Sequence, residues 1–297
     1  MELSWLMKLR IAAAVAAGAV LIGILAWPLA KPAEPFGVVS VPAFGGAITL
    51  VVLAVLTGLI AYFVSWPHGR ELGILAVPSG LAIWAVRCGD MAGVMQVNPT
   101  LAERQAIFAA LKWEPIFWLA IVVAGFGGVL IGQRISARPE PNKNPEKSNS
   151  ESNIYLNAII ALVGSVLIAQ FCIRILTQDV RIFDPRLGSV MAQPAIGQIV
   201  FAVLVSLGIA AFVVKKFLNV SYIWPIIASA LVTGFAITVY LKQDVLLHLV
   251  GHHPAIFSPN AVTSILPVQM VAFGTLGSIA GYWMGVRYSY WRKHEMK

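Results

Sequence analysis

Charge is what this 297-residue chain has least of: 11% of its residues are Asp, Glu, Lys or Arg, against 59% hydrophobic. Soluble domains carry about 25% charged residues. These polar groups are too few to cover a water-facing surface, so lipid must be the solvent. Cysteine is nearly missing too, with only Cys88 and Cys172. Without a Cys-x-x-Cys pair, a zinc ribbon or thiol redox pair is excluded. Both cysteines are expected near the outer ends of helices, and a disulfide between them is the less favoured reading. P-loop and Gly-x-Gly-x-x-Gly patterns are absent, which argues against nucleotide-driven chemistry, and no nucleophile elbow or Ser-His-Asp arrangement can be assembled.

What the chain has in quantity is long apolar runs. A membrane span needs about 20 mainly apolar residues, because a helix rises about 1.5 Å per residue across a core of about 30 Å. Eight runs qualify: 11–30, 45–66, 71–88, 115–135, 154–176, 196–217, 221–241 and 265–287. The third is the weakest, being short and broken by Pro78, Ser79 and Gly80. The first follows Lys8 and Arg10 like a signal peptide, but its length and its later counterpart favour retention over cleavage.

The net charge of +8 fits loop lysines and arginines that set orientation better than it fits a nucleic-acid partner. With the N-terminus cytoplasmic, 13 of the 21 basic residues fall in the shorter inner segments. Both termini are therefore expected inside, in what reads as a bacterial cytoplasmic membrane. One polar stretch, 137–153 (ARPEPNKNPEKSNSESN), reads as a flexible cytoplasmic linker between a first membrane unit, 1–136, and a second, 154–297.

The two units resemble each other. Residues 128–136, GVLIGQRIS, and 281–289, GYWMGVRYS, share Gly-x-x-x-Gly-x-Arg-x-Ser at an offset of 153. Gly18-Ala-Val-Leu-Ile matches Gly164-Ser-Val-Leu-Ile at an offset of 146, and Pro42-Ala-Phe-Gly matches Pro194-Ala-Ile-Gly at 152. Three matches in order around a central linker predict an internal duplication. Four spans per unit make the repeats parallel, related by a pseudo-two-fold axis along the membrane normal. The expected fold is thus an all-α integral membrane protein of eight transmembrane helices in two four-helix repeats.

Within the nonamers, Ala124, Gly128 and Gly132 recur every four residues, as do Gly277, Gly281 and Gly285. Positions i and i+4 share one helix face, and a groove of small residues lets another backbone approach closely. Arg134 and Arg287 then fall at the cytoplasmic edge as headgroup anchors, with Ser136 and Ser289 just outside. A lipid-phosphate or substrate-anion site at the two arginines is the functional alternative.

Chemistry is otherwise scarce. No Asp, Glu, Lys or His lies mid-span, where ionisable residues usually mark function. This weighs against ion-coupled transport, intramembrane proteolysis and a b-type haem. Asn157, Gln170, Gln198 and Gln269 are expected to make interhelical hydrogen bonds. His248 and His252 have the i, i+4 spacing of a metal pair, and Asp244 adds a carboxylate. Gly251 and Pro254 end any helix there, however, so no metal is expected and these three stay as weak candidates. In the matching loop of the first unit, Thr100 and Glu103 predict a capping box opening an amphipathic helix on the outer face. Trp27, Trp113 and Trp118 read as aromatics of the outer interface, and Trp66, Trp283 and Trp291 as those of the inner one.

The function expected from this pattern is a non-catalytic subunit or scaffold of a membrane assembly, with no cofactor. Its partners would be the bilayer and other membrane subunits or further copies of itself. An uncoupled transporter or channel for a neutral or lipidic solute, with a pathway between the repeats, is the alternative. An enzyme acting on a lipid-borne substrate is the least favoured reading.

Overall fold

A computed structural model describes residues 4–31, 41–136, 151–177 and 180–295. It is almost wholly helical: α1 (Trp5–Leu25), α2 (Phe44–Val64), α3 (Gly69–Arg87), α4 (Met91–Val97), α5 (Leu101–Leu111), α6 (Glu114–Ser136), α7 (Glu151–Leu176), α8 (Ile196–Leu218), α9 (Ile223–Tyr240), α10 (Gln243–His252) and α11 (Pro267–Glu295). Three short antiparallel strands, β1 (Arg181–Ile182), β2 (Val190–Ala192) and β3 (Phe257–Ser258), form a sheet in that order. Most of the expected polar linker, residues 137–150, lies outside the described residues; Glu151 already opens α7.

Seven helical stretches are long and apolar enough to cross a membrane: α1, α2, α3, the joined α5–α6, α7, α8 and α9. Their outward faces are apolar. On α7, Leu156, Ile159, Ile160, Val163, Leu167 and Phe171 form an exposed stripe at helical spacing. A soluble protein rarely leaves such a continuous patch to water, and in a bilayer lipid tails cover it. The chain is an all-α integral membrane protein.

Helix packing follows the small residues. Helix α2 lies along α6, and α8 along α11; these are the two most extensive packings in the fold. Helix α1 packs on α2 and α3, while α7 packs on α8 and α9. Between the halves α3 meets α11, α6 meets α9, and α6 touches α11. Burial sorts centre from rim: 67% of the residues in the most apolar stretch of α3 are buried, against 22% in those of α1 and α7.

The stretch of α3 around Pro78 is where it is held. A Cβ on Gly18 of α1 would collide with the Ala76 carbonyl, and one on Gly80 would fall 2.5 Å from the Gly18 oxygen. Trp84 Nε1 donates to the Gly23 carbonyl at 3.2 Å, and the Ser79 hydroxyl donates to Leu75 O at 2.7 Å. The helix thus runs unbroken through Pro78 after a tight turn at Gly73–Leu75, the Ser79 hydroxyl satisfies the Leu75 carbonyl beside that turn, and Trp84 ties α3 to the backbone of α1.

At one end of the bundle the connecting segments form an ordered cap. Helix α5 opens with the predicted capping box between Thr100 and Glu103, but it does not lie free on an interface. Arg104 is buried; its Nε donates to Asn98 O at 2.8 Å and its guanidinium to Met95 O at 3.1 Å, pinning the end of α4. Phe108 stacks on Tyr240 of α9. The Ala92 N–H donates to Gln193 Oε1 at 3.2 Å, and Gln193 Nε2 donates to Ser264 O at 3.1 Å. Segments from both halves thereby share one hydrogen-bonded surface.

Candidate functional site

The glycine faces singled out in the sequence are occupied within the chain. A Cβ on Gly128 would collide with the Val55 carbonyl of α2, and one on Gly132 would sit 2.7 Å from Tyr62 Cδ1. On α11, Gly277 meets the backbone of Leu204, Gly281 that of Gly208, and Gly285 lies where a Cβ would be 2.9 Å from Lys215 Cβ. Ala124 is half-buried on the same helix as Gly128. The grooves therefore clasp α2 and α8, the second helix of each half. Arg134 and Arg287 are both exposed at the far ends of α6 and α11, and the Ser289 hydroxyl is turned back onto Gly285 O at 2.9 Å.

Two groups prove more buried than the sequence suggests. Trp118, expected at the interface, is fully buried, edge-on to Trp84 with centroids 6.1 Å apart. Its Nε1 donates to Glu114 Oε2 at 3.4 Å, and Glu114 is itself buried in the first turn of α6. A carboxylate there faces the positive end of the helix dipole. Trp113 and Trp66 are exposed, Trp27 and Trp283 are half-buried, and Cys88 and Cys172 are both free thiols. Gln269 and Gln198 make the interhelical bonds expected of them, to Ala85 and Gly89 carbonyls and to Leu176 O.

A cluster of polar side chains lies in the cap. The sequence offers His248, His252 and Asp244 as weak metal candidates; the structure assembles a different trio. Asp244 is exposed in the first turn of α10 and stands outside the cluster. His252 is exposed as well, its ring stacked on His248 at 4.4 Å and its Nδ1 donating to the His248 carbonyl at 3.1 Å. What meets His248 is Asp184, from the β1–β2 loop 64 residues earlier, and His253. His248 Nε2 lies 2.8 Å and His253 Nε2 2.7 Å from the same oxygen, Asp184 Oδ2.

Each placement has a local cause. Pro254 excludes the α region for the residue before it. His253 accordingly leaves the helix, extended at φ −129°, ψ 140°, while its N–H still bonds Leu249 O. That turn swings His253 back beside His248, which five residues of continuous helix would not do. Asp184 is held by a turn of its own. Its Oδ1 accepts the backbone N–H groups of Arg186 at 2.8 Å and Leu187 at 2.6 Å, and Gly188 closes the loop with φ +76°. The sheet then delivers this loop to the end of α10: Met191 pairs with Ser258, and Gln193 N–H bonds Ile256 O at 2.8 Å.

Electrostatics follow from the geometry. Asp184 is held well below the usual carboxylate range. The hydrogen bond from His253 is the largest cause, followed by the Leu187 N–H, with His248 and the Arg186 N–H adding and burial opposing. Its side chain is 3% exposed, that of His248 7% and that of His253 13%, so the cluster is most exposed on the His253 side. Among the described residues, this is the group whose carboxylate and imidazole ligand atoms all lie within 4.8 Å of one another. Compared with protein-family models, curated proteins and solved structures, the chain matches none.

Proposed function

We propose that this protein is a non-catalytic integral membrane subunit that acts as a scaffold in a membrane assembly. It consists of eight spans in two duplicated four-helix repeats, with both termini on the cytoplasmic side of a bacterial inner membrane. Helix α11 is the eighth span. It has 29 residues, its first half is packed against protein, and it carries glycine, tyrosine and tryptophan where the others carry aliphatics. The pairings support the duplication: α2–α6 corresponds to α8–α11, α1–α3 to α7–α9, and α3–α11 to α9–α6. A pseudo-two-fold axis would pass where α6 touches α11. One detail departs from that symmetry, since Gly18 is a close-approach point whereas its counterpart Gly164 faces open space.

The scaffold reading rests above all on Gln269. This fully buried side chain of α11 donates to the Ala85 and Gly89 carbonyls of the opposite half, both at 3.2 Å. Rocking the halves apart, as alternating access requires, would strand those groups in an apolar setting. Together with the cap shared by both halves, Gln269 favours a rigid body over a moving one. The glycine faces are already used internally, so partners would meet the outer faces, such as the stripe on α7.

Two measurements test this. The scaffold reading expects the protein extracted from its native membrane in mild detergent to run at a mass well above that of one chain. It also expects proteoliposomes of the purified chain to take up glycerol and urea no faster than protein-free vesicles. A lone monomer would undercut the scaffold, and faster solute entry would replace it with an uncoupled pathway between the repeats.

A further inference from the structure

We propose that Asp184, His248 and His253 form a binding site for one divalent transition-metal ion of the zinc class, which clamps the β1–β2 loop to the end of α10. This goes beyond the scaffold reading and does not depend on it.

The donor set selects the ion. Two imidazole nitrogens and one carboxylate oxygen suit zinc and its first-row neighbours, whereas calcium and magnesium take oxygen ligands. Three protein ligands leave a fourth position for water on the more exposed His253 side. The geometry is a closed form of such a site. Both nitrogens stand at hydrogen-bond distance from Asp184 Oδ2, 2.8 and 2.7 Å. Ligands about 2.0–2.2 Å from a shared tetrahedral ion lie about 3.3 Å from each other, so each imidazole need draw back from Asp184 Oδ2 by only about half an ångström.

The surroundings are prepared for it. Asp184 Oδ1 is committed to the N–H groups of Arg186 and Leu187, which orients the carboxylate and leaves Oδ2 for the site. A metal-bound carboxylate is normally steadied in this way. The other nitrogen of His248, Nδ1, is buried and has no hydrogen-bond partner. Nothing on that side of the ring fixes its tautomer. One tautomer of the ring donates from Nε2 to Asp184, and the other turns the Nε2 lone pair toward an ion. His252 is left out, since it is exposed and stands outside the group whose ligand atoms lie within 4.8 Å of one another.

The competing arrangement is a metal-free strut in which Asp184 simply accepts four N–H groups, two from imidazoles and two from backbone. The full chain, purified in detergent without a histidine tag and stripped with a chelator, distinguishes the two. Titration with zinc alone is expected to show one ion per chain by calorimetry and elemental analysis. It should also raise Tm in proportion to the logarithm of free zinc, and cobalt substitution should give the visible absorption of a tetrahedral site. Asp184→Asn keeps the turn-forming oxygen and should weaken zinc binding at least tenfold, as should His253→Ala. His252→Ala should bind as wild type does. If His253→Ala fails to fold, Asp184→Asn and the wild-type stoichiometry still decide. The proposal is overturned by wild-type protein that binds no stoichiometric zinc, by Asp184→Asn binding as tightly as wild type, or by loss of binding in His252→Ala.

Discussion

Phe108 and Tyr240 lie face to face, with ring centroids 4.1 Å apart and planes 2° from parallel. One comes from a loop helix of the first half and the other from the last turn of a span in the second. Both side chains are fully buried, and the Tyr240 hydroxyl donates to Thr263 O at 3.2 Å. The stack thus joins α5, α9 and the segment leading into α11 at one point of the cap.

Phe108→Ala should be among the most damaging single changes in the cap. It removes a fully buried ring and leaves a cavity, a loss of about 3–5 kcal/mol in protein interiors. Tyr240→Phe keeps the stack, removes one hydrogen bond and should cost about 1 kcal/mol. Detergent unfolding curves of both variants check the order. Equal shifts in Tm would mean that the stack is not what holds the cap.

Gln269→Leu tests the bond between halves. Ala85 lies in the last turn of α3, where carbonyls lack helical partners, and Gly89 turns away at φ +78°. Gln269 satisfies both carbonyls and also accepts the Leu266 N–H at 3.0 Å. Leucine fills similar volume but leaves the buried Leu266 N–H without its partner and the two carbonyls with the weak Cys88 thiol as donor, at about 1–3 kcal/mol. Cooperative unfolding should also split, one half melting before the other. A single transition at the wild-type temperature would remove Gln269 as the lock.

The glycine pairs give a graded series. Gly128→Leu with Gly281→Leu puts bulk where the Val55 and Gly208 carbonyls already stand, so α2–α6 and α8–α11 must separate and Tm should fall steeply. Gly164→Ala and Gly234→Ala meet open space and should be neutral or gain the few tenths to about 1 kcal/mol that alanine brings to a helix. Unchanged thermal stability in the double leucine variant would refute the packing role of the repeated nonamer.

That series marks how far the sequence can be read. Spacing along one helix is local information, so Gly128, Gly132, Gly281 and Gly285 mark a packing face by their positions in the chain alone. The identity of the face they clasp, α2 or α8, is not local and cannot be read from spacing. The histidines show the same limit more sharply. His248 and His252 stand at the spacing a metal pair takes on an unbroken helix, but the pre-proline position of His253 breaks the register. The carboxylate comes from Asp184, in a loop that only the β2–β3 pairing brings near. The nearby Asp244 is exposed and stands outside that cluster. Glu114 and Trp118 are separated by one helical turn in plain view, yet their burial depends on Trp84 from another helix.

The eight-span arrangement makes a sidedness prediction. Cysteines at Arg186, Ser221 and Arg292, each introduced with Cys172→Ser to remove the half-buried native thiol, report the cap loop, the α8–α9 hairpin and the end of α11. If α11 crosses the membrane and both termini are cytoplasmic, a membrane-impermeant maleimide added to intact cells should label only Arg186→Cys. The other two should react after permeabilisation. The hairpin is the internal reference: it is short, closed by Asn219 at φ 52°, and flanked by Lys215 and Lys216, the basic signature of an inner loop. Labelling of Ser221→Cys from outside would invert the whole topology. Labelling of Arg292→Cys and Arg186→Cys together, with Ser221→Cys protected, would instead leave seven crossings and return α11 to the outer side with the cap.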